Sequence, residues 1–190
     1  MRRALRVTLT VVPVGLVTGW LSVGVLGRLA MMLLARLNPA ATGVTSDDGF
    51  EMGTFTLAGT ANLMFAAGTF LGLLSAVLYL LLRPLMTGPG WFRLLSVSLG
   101  AGVVVASQVV HPDGVDFTLL RPLWLAVGLF VLIPTLHVAV VSAVSERLLS
   151  DDPRRWRELP GWLGWPARGA LAVLFVLALI DLVRDVAVLG

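Results

Sequence analysis

The sequence predicts an all-α protein, an integral-membrane helical bundle of about five transmembrane helices. Two observations lead there. Of the 190 residues, 57% are hydrophobic and 13% are charged, whereas soluble domains are about 45–50% apolar and about 25% charged. Apolar runs of membrane-spanning length also recur along the whole chain, with no polar stretch long enough for a soluble domain. We therefore expect a single transmembrane domain over residues 1–190.

Five runs approach the roughly 20 apolar residues that a bilayer crossing needs. We predict spans at about residues 7–27, 55–82, 94–110, 123–144 and 162–189. The fifth is the least regular, because charged side chains stand on both sides of its apolar centre. For this run, a re-entrant or interfacial helix is the alternative to a crossing. The first run is too long for a signal peptide, so we expect an uncleaved anchor.

The distribution of charge predicts the orientation. With the N-terminus in the cytoplasm, ten of the 14 arginines lie on the cytoplasmic side and seven of the 11 acidic residues lie outside. Positive charge is enriched in cytoplasmic loops, so we predict a cytoplasmic N-terminus and an outer C-terminus. The same scatter of arginines indicates membrane topology and no nucleic-acid partner, despite a sequence pI of about 10.9.

Small residues recur four apart in three of the predicted spans. Such stripes let helix backbones approach closely inside a bilayer, so they predict one compact bundle, with a homodimer face as the alternative use. The stripes are Gly15 and Gly19 in the first span, Gly68, Gly72 and Ala76 in the second, and Ser98, Gly102 and Ala106 in the third. Pro134 is expected to bend the fourth span.

The densest polar residues fall in the two predicted outer loops and on a helical extension of the first span that ends at Asn38-Pro39. The loops read TSDDGFEMGTFTL from residue 45 and HPDGVDFTLLRP from residue 111. The predicted outer-face cluster consists of Arg28, Arg36, Asp47, Asp48, Glu51, His111, Asp113, Asp116 and Arg121. Both loops contain Asp-Gly, an apolar residue and an acid before Phe-Thr-Leu. This pattern indicates either an internal repeat of two helical hairpins or simple turn and cap chemistry.

Three hypotheses compete for this cluster. The first is a structural clasp, in which arginines pair with acids and tie the two loops together. The second is a binding surface for a partner protein, a lipid headgroup or a small solute. The third is a divalent-metal or catalytic site, although the spacing matches no defined metal motif. We expect no metal and no cofactor, and the lack of cysteine excludes disulfides and thiolate chemistry.

Three polar residues also fall within the predicted spans: His137, Asp181 and Arg184. We expect His137, in the fourth span, to hydrogen-bond a neighbouring helix, and a proton relay is the alternative. Asp181, Arg184 and the nearby Asp185 are spaced to neutralise one another along the last helix.

With VTSDDGFEMGTFTL, HPDGVDFTLL and its all-arginine, Ala/Val/Leu-rich composition, the chain resembles a group of small uncharacterised multi-pass membrane proteins of actinobacteria. The resemblance implies a bacterial plasma-membrane location and assigns no functional residue. The leading functional hypothesis is a non-enzymatic interaction or accessory protein, whose partners are the lipid bilayer and a membrane protein or a second copy of the chain. A small transporter or channel component comes second, and a membrane enzyme third.

Overall fold

The structure is a computed structural model that describes residues 2–47, 49, 51–54, 56–149 and 159–190. Asp48 of the predicted cluster lies outside the described residues. The described residues form eight α-helices: α1 (Arg2–Gly19), α2 (Gly27–Leu37), α3 (Leu57–Ala61), α4 (Gly68–Leu82), α5 (Gly90–Val109), α6 (Asp116–Leu119), α7 (Leu123–Leu148) and α8 (Gly161–Leu189). Two π-helical segments, Trp20–Leu26 and Asn62–Ala67, join α1 to α2 and α3 to α4. The described part of the chain has no strand.

Four of the described helical rods are long and apolar enough to cross a membrane: Leu5–Leu37, Leu57–Leu85, Gly90–Val109 and Leu123–Leu148. This confirms the all-α, multi-pass membrane class. The first rod is longer than its predicted span because the helix continues without a break to Leu37, where Asn38 and Pro39 end it. The expected extension beyond the apolar run is therefore present.

The fifth predicted span coincides with α8, a continuous helix of 29 residues that is not among those four. Near its start, Arg168 Nε donates to the Leu85 carbonyl at 3.0 Å. At its end, the Leu189 carbonyl accepts from Arg121 Nη2 at 3.1 Å. We call the bundle end with residues 38–56 and 110–122 the loop face, and the opposite end the N-terminal face. Helix α8 runs from the N-terminal face to the loop face, and its crossing of a membrane stays a prediction.

The small-residue stripes hold helices of the bundle together, as predicted. A Cβ added at Gly15 would lie 3.0 Å from Ala76 Cβ and would collide with the Gly72 carbonyl oxygen. In the second pair of helices, a Cβ at Gly102 would lie 2.7 Å from the Val131 carbonyl oxygen. The stripes thus join α1 to α4 and α5 to α7, and these surfaces are not available for a dimer.

Tryptophans mark both ends of the bundle. Trp91, Trp162 and Trp165 are exposed near the N-terminal face, and Trp124 is exposed near the loop face. Tryptophan favours the membrane–water interface because its ring is apolar and its N–H is polar. The exposed apolar side chains between these levels therefore form the lipid-contacting surface.

Candidate functional site

The two loops at the loop face are tied together by carboxylates that bind backbone N–H groups. Asp47 Oδ1 accepts from the Val115 N–H at 2.9 Å, and Asp47 Oδ2 accepts from the Asp116 N–H at 3.2 Å. In return, Asp116 Oδ1 accepts from the Asp47 N–H at 3.2 Å. Asp47 thereby satisfies N–H groups at the start of α6, which have no partner within that helix.

These bonds also set the charge state of Asp47. The Val115 N–H holds the pKa of its carboxyl below the ordinary 3.8; the Asp116 N–H and His111 act in the same direction, against a partial desolvation. A Cβ at Gly114 would lie 2.6 Å from His111 Cε1 and would collide with the Asp47 carboxylate. Glycine is therefore the residue that allows the two loops to approach.

Several other predicted members of the cluster bind different partners or are exposed. Arg28 Nη2 donates to the Thr54 carbonyl at 3.3 Å. Arg121 pairs with Asn38, whose Oδ1 accepts from the Arg121 N–H at 2.7 Å and whose Nδ2 donates to the Arg121 carbonyl at 2.9 Å. The side chains of Arg36, Glu51 and Asp113 are exposed.

Two arrangements that a catalytic or metal site would use are not seen among the described members of the cluster. None of the hydrogen bonds in that part of the chain joins His111 to a carboxylate. No group of three or more His, Asp or Glu residues among the described ones could hold a metal ion.

The two Phe-Thr-Leu stretches have different local structures. Thr56 caps α3, because its Oγ1 accepts from the Gly59 N–H at 3.0 Å. Thr118 lies inside α6, its hydroxyl donates to the Val115 carbonyl at 2.7 Å, and α7 begins only at Leu123. Turn and cap chemistry therefore explains the two loops, and the structure does not favour an internal repeat.

The structure locates a second polar site deep inside the bundle, around His137. The His137 ring is buried, with 4% of the residue exposed. Its Nδ1 lies 2.8 Å from Ser22 Oγ, and its Nε2 lies 2.9 Å from Ser75 Oγ. The expected hydrogen bond to a neighbouring helix is confirmed, and there are two, so that one imidazole connects three membrane-spanning rods.

Each of these serine hydroxyls has a further partner. Ser22 Oγ donates to the Thr18 carbonyl at 2.6 Å, and Ser75 Oγ donates to the Gly72 carbonyl at 2.9 Å. Such bonds to a preceding turn are common for serine in helices. Each hydroxyl has one proton to donate. When the imidazole is neutral, the two bonds to the ring and the two bonds to the carbonyls therefore cannot all form at once.

Each of the three rods that meet at His137 contains an irregular backbone feature. Ser22 lies in the π-helical segment Trp20–Leu26, where the Gly27 N–H bonds to the Ser22 carbonyl five residues earlier. This segment packs on the other π-helical segment, Asn62–Ala67. On α7, Pro134 stands one turn before His137 and has no N–H to donate. Single π-helical turns are rare and frequently occur at functional sites.

A third polar group lies toward the N-terminal face. Glu146 Oε1 accepts from Arg83 Nε at 3.1 Å and from the Tyr79 hydroxyl. Arg83 is buried, with 7% of the residue exposed. Between Glu146 and His137, α7 also carries the buried serines Ser142 and Ser145, whose hydroxyls have no hydrogen-bond partner in the described chain. Helix α7 therefore presents polar groups to α4 at two levels, through His137 in the middle of the bundle and through Glu146 nearer this face.

Sequence analysis identified His137 but not the residues that bind it. Serine is common in membrane helices, so nothing distinguishes Ser22 or Ser75 from Ser98. Two signals were available for the third group: Tyr79 is the only tyrosine in the chain, and Glu146 is the only acid within α7.

Asp181 and Arg184 lie exposed on α8. The structure shows no ion pair between them among the described residues. Their predicted mutual neutralisation therefore stays a prediction.

No protein-family model, curated protein or solved structure gives a significant match to this chain. The function of the protein is therefore inferred from the chemistry of its sites.

Proposed function

We propose that this protein is a small proton-coupled membrane protein, a transporter or channel component, in which His137 takes up and releases a proton inside the bundle. The observation that carries the proposal is the double hydrogen bond of the buried His137 ring to two hydroxyls that also bond to backbone carbonyls. We place the protein in a bacterial plasma membrane with its N-terminus in the cytoplasm, on the arginine distribution and the resemblance.

Proton counting gives the site two states. When both serines donate to their carbonyls, both hydroxyl oxygens accept from the ring, which requires the doubly protonated imidazolium. When the ring is neutral, one serine must turn its proton from its carbonyl to the bare ring nitrogen. Ser75 is the better candidate because its carbonyl bond is the longer, 2.9 Å against 2.6 Å for Ser22. Protonation therefore changes the bonding between α4 and α7.

No charged side chain of the described residues contacts the His137 ring. On α7, Glu146 lies nine residues away, about 13.5 Å along a helix. The rods and helices packed around α7 bear Arg6, Arg28, Arg36, Tyr79, Arg83, Arg93, Arg168, Asp181, Arg184 and Asp185 as their described titratable side chains. Since none of these groups contacts the ring, its protonation state depends on the hydroxyls and carbonyls around His137. A buried ionisable group among membrane helices is commonly a functional one.

The proposal is tested by ¹⁵N NMR of the histidine rings, because the chain has two histidines. The variant His111→Asn leaves His137 as the single ring signal. Between about pH 9 and pH 4, we expect a change from the Nδ1–H tautomer to the doubly protonated ring. Ser22→Ala should move the proton to Nε2, because Ser75 Oγ can then accept from the ring while it donates to the Gly72 carbonyl. Ser98→Ala, a buried serine on α5, should preserve the Nδ1–H tautomer. A ring that stays neutral over the whole range would contradict the proposal.

A second measurement tests whether proton binding at His137 is coupled to proton transport across a membrane. Liposomes with the purified protein and an internal pH dye are given a potassium diffusion potential. We expect an internal pH change that His137→Asn abolishes and Ser98→Ala leaves intact. If the ring titrates and no flux occurs, transport is excluded and proton binding serves another role.

The second candidate is the interaction or accessory protein that the composition favours. Its supporting observation is the loop face, where Asp47 and Asp116 hold the loops in place while the charged side chains of Arg36, Glu51 and Asp113 point to solvent. Fixed loops with exposed charges are suited to binding. A variant with alanine at these three positions should lose a co-purifying partner and keep the His137 titration. Retention of every co-purifying protein would count against this candidate.

A further inference from the structure

We infer that α8 is the contact helix of a symmetric dimer, with a second copy of this chain packed along an exposed stripe that includes Asp181 and Arg184. The inference is independent of the proposed proton chemistry. It starts from two exposed charges of opposite sign on one helix of a membrane bundle.

The depth of Asp181 along α8 makes exposure of its carboxylate to lipid energetically costly. Hydrogen bonds attach α8 to the bundle at both faces, through Arg168 at one end and Leu189 at the other. Asp181 comes eight residues before Leu189, about 12 Å along the helix. A helix of 29 residues is about 43 Å long, and the hydrocarbon layer is about 30 Å thick. With α8 crossing the bilayer as predicted, Asp181 lies within the hydrocarbon layer, where an unpaired charge is costly.

The two charges belong to a regular stripe. The exposed positions spaced four and three apart along α8 are Ala170, Leu174, Leu177, Asp181, Arg184 and Val188. This alternation is the a/d pattern of two helices that pack side by side. The stripe lies about 100° around the helix from the buried side, which carries Ala178 and Leu182. The stripe lies on the flank of α8 and not on the side directly opposite the bundle. A second helix packed along it would therefore also contact the other helices of the bundle.

Charge complementarity identifies the occupant as a second copy. In a two-fold dimer with its axis along the membrane normal, the two α8 helices are parallel, and equal residues lie at equal depth. Arg184 is one turn from Asp181, about 4.5 Å along the axis. Each Arg184 therefore reaches Asp181 of the other copy, and two such pairs neutralise four charges. The stripe is therefore complementary to a copy of itself, whereas a different partner would need charges of its own at matching positions.

Cysteine cross-linking in native membranes tests the inference, since the chain has no cysteine of its own. Leu177→Cys lies on the stripe, and the matched control Ile180→Cys is equally apolar and exposed but lies about 60° away, on the lipid side. On oxidation, we expect a product of twice the 20.2 kDa chain mass for Leu177→Cys and none for Ile180→Cys. Equal cross-linking at both positions, no cross-linking at either, or a product with another protein would overturn the inference.

Exchange of the charges tests the ion pairs. In the Leu177→Cys background, Asp181→Arg alone and Arg184→Asp alone place like charges together, and each should lose the dimer band. The double variant with both exchanges should restore the band, which also controls for folding. A dimer band unaffected by either single exchange, or not restored by the double exchange, would contradict the pairing.

Discussion

The loop face and the interior of the bundle differ in how much each polar residue matters. The predicted outer-face cluster has nine polar residues, and its described members divide among separate contacts, with several side chains exposed. In the interior, by contrast, His137 binds both Ser22 and Ser75, and Glu146 binds both Arg83 and Tyr79. Water satisfies a charge at a surface, whereas a polar group in hydrocarbon needs a protein partner. The number of polar residues is therefore a poor guide to a site in this molecule.

The largest effect is expected from Glu146→Ala. This change leaves the buried Arg83 guanidinium and the Tyr79 hydroxyl without their shared carboxylate. Removal of one partner of a buried ion pair costs about 3–5 kcal/mol. Thermal or denaturant unfolding in detergent should show a loss of that order for Glu146→Ala and a smaller one for Glu146→Gln, which retains an acceptor oxygen.

The control for that comparison is Arg147→Ala, because Arg147 is the next residue on α7 and is exposed. We expect a change within about 0.5 kcal/mol. If Glu146→Ala were no more destabilising than Arg147→Ala, Arg83 would not depend on Glu146, and the contrast between interior and loop face would fail.

A smaller effect is expected at the loop face, from Asp47→Ala. The change removes the acceptor of the Val115 and Asp116 N–H groups, and loss of such a cap costs about 1 kcal/mol. Asp113→Ala is the matched control, because Asp113 is exposed in the same pair of loops, and we expect it to change stability by about 0.5 kcal/mol or less. Equal losses for the two variants would mean that Asp47 does not tie the loops.

The Asp47 effect should depend on pH in a defined direction. The pKa of Asp47 is lowered in the folded protein, chiefly by the Val115 N–H. Its contribution is therefore fully present above the ordinary pKa of 3.8 and is lost as the pH falls below it. The difference in melting temperature between the natural chain and Asp47→Ala should be constant near neutral pH and shrink at about pH 3. A difference that grows on acidification would show the opposite sign of the shift.

Sequence patterns correctly predicted the features that depend on short-range interactions. The stripe at Gly15 and Gly19 correctly predicts a close helix contact, because only small side chains let two backbones meet. The stop at Asn38 follows from the proline after it. The predicted clasp at the loop face is partly visible in the same way: the loops do meet, but through carboxylate bonds to the N–H groups of Val115 and Asp116. Backbone donors are present at every residue, so a sequence does not show which of them a carboxylate will reach.

By itself, the sequence determined the membrane class, the four long spans and the charge asymmetry between the two ends, because transfer of apolar residues into lipid is close to a sum over each segment. Only the tertiary structure decided that Ser22 and Ser75, which are 115 and 62 residues from His137, bind the two sides of one ring. It also decided that the rods around this ring contain π-helical turns. These features depend on how the helices are rotated against one another. That rotation is set by the combined packing of all the spans, and no single segment encodes it.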